Sequence, residues 1–89
     1  MSSQIWKFEL DLIDNVLSVP ENSEILCVKI QNGQPCTWFK VETTKPHVNR
    51  EIVWFGTGQD IPEYQRGISY IDTVLLHNGN LIMHAFEVL

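Results

Sequence analysis

Glu24-Ile25-Leu26-Cys27-Val28-Lys29-Ile30-Gln31-Asn32-Gly33-Gln34-Pro35-Cys36-Thr37-Trp38-Phe39-Lys40-Val41-Glu42 is the stretch whose reading decides the fold. Asn32-Gly33 is the strongest short hairpin signal, because a type I′ turn needs positive φ at both central residues. Counting outward from that turn sets Ile30 opposite Pro35, Val28 opposite Thr37 and Leu26 opposite Phe39. These six residues share one face with Val41. Cys27, Lys29, Cys36, Trp38 and Lys40 share the other. A slip of one residue would exchange the faces, so the agreement of both strands specifies the register.

Working outward, the same period of two recurs. Trp6, Phe8 and Leu10 alternate with Lys7 and Glu9 in a first strand. Asp11 to Asn15 reads as a turn, and Val16 to Val19 as a short strand ended by Pro20. Thr43 to Asn49 reads as a loop and Arg50 to Thr57 as a strand. Ile52, Val53, Trp54 and Phe55 are apolar on both of its faces, as in a central or interface-facing strand. Gly56 to Gly67 is irregular, with a turn of helix expected at Ile61 to Gln65 because Pro62 suits a first helical position. Ile68 to Leu76 and Leu81 to Val88 form a second hairpin around Asn78-Gly79. Its arithmetic sets Leu75 opposite Ile82, Thr73 opposite His84 and Ile71 opposite Phe86. The expected fold is one all-β domain over residues 1–89: a small antiparallel β-sandwich or partly open barrel of about seven strands in meandering hairpins.

Composition narrows the function. The chain has 89 residues, of which 44% are hydrophobic and 19% charged, so it is globular and not disordered. Such a chain buries roughly 60–65% of its unfolded surface, enough for one core. Six Lys/Arg stand against eleven Asp/Glu, a net charge of −5, and this average field repels a phosphate backbone. General nucleic-acid binding is not expected. Two cysteines, Cys27 and Cys36, read as free thiols in a reducing compartment. Met1-Ser2-Ser3-Gln4 lacks the basic start of a signal peptide, and no apolar run approaches a membrane span. A cytoplasmic protein is expected.

Four motifs occur in order: Ile5-Trp6-Lys7, then Asn32-Gly33-Gln34-Pro35-Cys36-Thr37-Trp38, then Gly56-Thr57-Gly58-Gln59-Asp60-Ile61-Pro62, and finally His84-Ala85-Phe86-Glu87. Over nearly the whole chain this pattern resembles a family of short proteins encoded by tailed phages and prophages, known only as a domain of unknown function. The resemblance implies an accessory protein acting inside an infected or lysogenic bacterial host. It implies no activity.

The candidate site residues are Trp38, Trp54, Gly56, Thr57, Gly58, Gln59, Arg66 and His84. Two glycines directly after an apolar strand can turn successive N–H groups into a concave anion nest. Thr57 would add a hydroxyl and Arg66 a charge. The competing reading is a tight strand-ending turn in which glycine supplies positive φ. The Lys-Ser/Thr of a Walker loop is absent. His84 reads as a ligand-binding group, a general base, or a half-buried histidine satisfied by Thr73 across the hairpin. Trp38, opposite the better-defined apolar face, reads as an exposed interface anchor, a platform for a flat ring, or part of a two-sided core. Asp60 and Glu63 read as solvated loop carboxylates. The three histidines lack metal-ligand spacing, so no metal and no cofactor is expected.

The residues therefore favour binding over catalysis. The leading expectation is an anti-defence protein that sequesters a small nucleotide-derived signal between the Gly56–Pro62 loop, Trp38 and Trp54. The alternative is an interaction module that inhibits a host enzyme or defence complex. A structural phage protein comes third, and a hydrolase built on His84 is the weakest reading. Two apolar faces on so small a chain exceed what one core covers, which points to a homo-oligomer.

Overall fold

The computed structural model describes residues 2–89. Seven strands run β1 (Ser3–Glu9), β2 (Asn15–Pro20), β3 (Glu24–Gln31), β4 (Gln34–Glu42), β5 (His47–Gly56), β6 (Ile68–Leu76) and β7 (Leu81–Val88). They form two antiparallel sheets, β1-β4-β3 and β2-β5-β7-β6. The molecule measures 43 × 34 × 15 Å, and the thin dimension is that of two sheets packed face to face. Leu10, Val19, Val28, Phe39, Val41, Ile52, Trp54, Val74, Leu76 and Ala85 form the core between them.

The first hairpin closes as its turn demands. Asn32 (φ 50°) and Gly33 (φ 77°) are both left-handed, and Gln31 pairs with Gln34. Ile30 meets Pro35 and Val28 meets Thr37, as the spacing requires. Leu26 does not meet Phe39. A β-bulge between Ile25 and Cys27 makes Leu26 an extra residue, so Ile25 takes the place opposite Phe39 and Leu26 is exposed. The second hairpin repeats the event. Leu75 pairs with Ile82 and Thr73 with His84, but a bulge between Tyr70 and Asp72 puts Tyr70, not Ile71, opposite Phe86. Ile71 packs against the core instead.

Both bulges lie in the strands that meet where the two sheets adjoin, β3 and β6. A bulge increases local twist, and here each lets its strand turn toward the other sheet. The Asp72 carboxylate spans this seam. It accepts hydrogen bonds from the Val28 N–H (3.2 Å) and the Thr73 N–H (3.0 Å), and pairs with the Lys29 ammonium at 3.1 Å.

Only β3–β4 and β6–β7 are local hairpins; β1, β2 and β5 find partners across long connections, so the order is not a simple meander. β5 begins at His47, three residues before the expected start, because β2 pairs with it as far as Pro20 opposite His47. Ile61–Gln65 forms no helix. The segment ends in a turn in which Gly67 N–H donates to the Tyr64 carbonyl (3.0 Å) with Gly67 at φ 85°. The Tyr64 ring packs edge-on to Phe55, which holds this segment extended over the sheet.

Candidate functional site

Alternation on β5 assigns its residues to two faces. Ile52 and Trp54 enter the core, while Val53 and Phe55 are buried on the outer side of the four-stranded sheet. Trp54 is therefore a core residue. Its indole N–H donates to the Asp11 carbonyl (2.8 Å), which satisfies the one polar atom that its burial would otherwise strand. It does not wall a pocket with the Gly56 loop.

The Gly56–Gln59 segment is a closed turn. Gln59 N–H donates to the Gly56 carbonyl (3.1 Å), and Gly58 (φ 85°) alone is left-handed, the type II pattern. The Gln59 side-chain carbonyl accepts the Gly56 N–H (2.9 Å). Two backbone N–H groups that an anion nest would need are thus already engaged. Arg66 is exposed in the turn at the far end of the loop.

Thr57 and His84 do come together. Thr57 Oγ1 lies 2.8 Å from His84 Nε2, and Thr73 Oγ1 lies 2.9 Å from Nδ1. Tyr70 Oη continues the chain to Thr73 Oγ1 at 2.7 Å. Thr73 was legible as the partner of His84 from hairpin arithmetic. Tyr70 was not, because the bulge that turns it to this face leaves no mark in the alternation. Beside this chain stand three tilted ring pairs: Phe55–Tyr64, Phe55–Phe86 and Tyr70–Phe86. Both imidazole nitrogens are held by hydroxyls and neither by a carboxylate. A hydroxyl partner gives little support to the imidazolium that general-base catalysis would create. The arrangement orders side chains on a sheet face.

Trp38 is on the outer face of the three-stranded sheet, half-buried and apart from the core cluster. Register builds its surroundings. Lys7 of β1 and Cys27 of β3 are directly opposite, Cys36 and Lys40 lie two residues away along β4, and Lys29 is diagonal. The Lys7 ammonium donates to the Gln31 side-chain carbonyl (2.9 Å), crossing β4 from one edge strand to the other. Lys29 is held by Asp72, whose hydrogen bond and charge keep its ammonium above the ordinary lysine value. Cys36 is buried beneath this layer, Cys27 is half-buried, and both are free thiols. Glu9, Glu24 and Glu42 complete the perimeter and balance the three lysines. The face is thus an aromatic centre bordered by charged side chains, with the exposed Ile5 opposite Lys40.

A cleft of about 130 Å³ opens at the end of the same sheet, lined by Ser3, Asn22, Glu24, Lys40, Val41 and Glu42. Ser3 Oγ donates to Glu42 Oε1 at 3.0 Å, while Glu42 Oε2 is buried without a partner among the described residues. No helix is long and apolar enough to cross a membrane.

No curated protein and no solved structure matches this chain. One family model does, over residues 1–89, and by that match the chain belongs to the family described as Domain of unknown function (DUF7352).

Proposed function

We propose that the protein is a non-catalytic interaction module that engages a host protein through the Trp38 face of its three-stranded sheet, within an infected or lysogenic bacterium. The observation that carries this reading is the position of Trp38: half-exposed at the centre of that face, with Lys7, Lys29 and Lys40 around it. Binding energy at protein interfaces concentrates in such central aromatic anchors, and the polar ring excludes water without contributing much itself. Lys7 and Lys29 are already held by Gln31 and Asp72, so less side-chain freedom is lost on binding. Three lysines and three glutamates border the indole, so the face fits a partner surface of mixed charge. Inhibition of a host enzyme or defence complex is the role this surface would serve.

Sequestration of a small nucleotide-derived signal is the second reading. The same face favours it, since an indole flanked by lysines can stack a base and meet its phosphates. Affinity capture from bacterial extract separates the two. The interaction reading expects a stoichiometric protein partner that the wild-type chain retains and the Trp38→Ala chain loses. The ligand reading expects calorimetric binding of cyclic nucleotides or ADP-ribose isomers that disappears in the same variant. Equal capture by both chains, with no nucleotide bound, would remove both.

A further inference from the structure

Each sheet has two edge strands, and three of the four are protected. β3 and β6 meet along the seam, where Asp72 takes the Val28 N–H. β2 carries Pro20. The Glu21 N–H donates to the Pro46 carbonyl on the β5 side (2.8 Å), so its neighbour Pro20 falls on the outward side and has no N–H to offer. β1 is the exception. Its ladder to β4 uses the even-numbered residues, as the bonds at its two ends show: Thr43 N–H donates to the Ser2 carbonyl (3.0 Å) and Leu10 N–H to the Pro35 carbonyl (2.9 Å). The N–H and C=O groups of Ser3, Ile5, Lys7 and Glu9 therefore point away from the sheet, and no proline interrupts them. Such a row is a template for another strand. We propose that β1 of a second copy pairs antiparallel with it, joining the two β1-β4-β3 sheets into one continuous sheet.

Charge and side-chain pattern select the occupant and its register. The chain carries a net charge of −5, but β1 holds one lysine and one glutamate, so two copies meet along this strand without net repulsion. Centring the pair on Trp6 overlaps all seven residues of β1 and forms about eight backbone hydrogen bonds. Ile5 then lies opposite Lys7 of the second copy, and Ser3 opposite its Glu9. A shift of two residues one way sets Lys7 against Lys7, and the other way shortens the overlap to Ser3–Lys7. On the inner side Trp6 and Phe8 are half-buried at the margin of the core. The two Trp6 rings face one another there as a close, non-hydrogen-bonded pair, a geometry in which aromatic side chains interact well. A lysine on an edge strand ordinarily guards against such pairing. Here the Lys7 ammonium is turned back across β4 onto the Gln31 side-chain carbonyl, away from the open edge. The two-fold axis of the pair is perpendicular to the sheet, so both Trp38 side chains end on one face. The assembly would offer two copies of the surface under Proposed function side by side, although the pairing itself does not depend on that reading.

Sedimentation equilibrium over a micromolar to millimolar series, with native mass spectrometry, tests the pairing. Wild-type protein is expected at twice the 10.3 kDa chain mass. Ile5, 64% exposed in the single chain, is the informative position. Ile5→Lys sets a lysine against Lys7 of the second copy, and is expected to weaken association about tenfold because the opposition occurs twice in a two-fold pair. Ile5→Glu sets a carboxylate there and is expected to associate at least as tightly as wild type. Ile5→Pro removes an outward N–H and leaves the ladder to β4 intact, so a monomer with unchanged far-ultraviolet circular dichroism is expected. If Ile5→Pro does not fold, the opposed responses of the two charged variants carry the test. Trp38→Ala is expected to remain paired, which keeps this outcome separate from the partner-capture result. A wild-type monomer at every concentration would overturn the proposal, as would undiminished association of Ile5→Lys, or dissociation by Ile5→Glu or Trp38→Ala.

Discussion

Asp72 shows how much one side chain can carry in a thin sandwich. Burial pushes its carboxyl upward, but hydrogen bonds from Lys29, Val28 N–H and Thr73 N–H, with the Lys29 charge, outweigh that and hold it below the usual carboxylate range. A carboxyl depressed on folding stabilises the protein above its unfolded pKa of about 3.9, and that contribution is lost as pH falls through the folded value. Asp72→Asn is therefore expected to lower stability at pH 7 by about 2 kcal/mol. The gap from wild type should close as pH drops below about 4, read from urea melts across the acid range. Trp38→Ala belongs at the same scale. Because Trp38 is half-exposed and outside the core, its loss is expected to cost about 1–2 kcal/mol in thermal denaturation. Trp54→Ala, which empties the core, is expected to cost about 3–5 kcal/mol.

Elements obey the spacing of their residues until a bulge intervenes. Asn32-Gly33 dictated its turn, and both hairpins carry the expected register next to their turns. Beyond Cys27 and Asp72 the alternation resumes after one extra residue. Consecutive apolar residues, Ile25-Leu26 and Tyr70-Ile71, offer either side chain to the core, so the sequence does not choose between them; the approach of the neighbouring sheet does. This makes a deletion experiment informative. Removing Leu26 excises the extra residue and leaves Ile25 opposite Phe39, so the variant is expected to fold with a modestly lower melting temperature. Removing Lys29 instead inverts the faces of the strand N-terminal to it and is expected to abolish the cooperative transition. Circular dichroism melts of the two deletions read the difference. At the turn, Gly33→Ala meets no steric obstacle but keeps a φ of 77°, and is expected to cost about 1 kcal/mol.

For the whole molecule, the two sheets are joined at one end by Arg50. Its guanidinium pairs with both Glu87 oxygens, donates to the Ser23 carbonyl (2.7 Å) and lies 5.3 Å from the centre of the Phe39 ring. Glu87→Gln is expected to destabilise by about 3 kcal/mol, since it leaves a partly buried cation without its counter-charge. Arg50→Met combined with Glu87→Leu is expected to cost less than Glu87→Gln alone, read by chemical denaturation of all the variants. Sequence alone determined that this chain is a small all-β domain, which residues alternate across each hairpin, that Trp38 lies opposite the better-defined apolar face, and that His84 meets Thr73. These follow from local covalent geometry, in which successive side chains on a strand point to opposite faces. Only the tertiary structure decided the strand order, the two bulges, the burial of Trp54 away from the Gly56 turn, and the joining of Thr57 to His84. Each of these depends on which long-range pairing buries the most surface while satisfying every backbone group, and no local spacing encodes that choice.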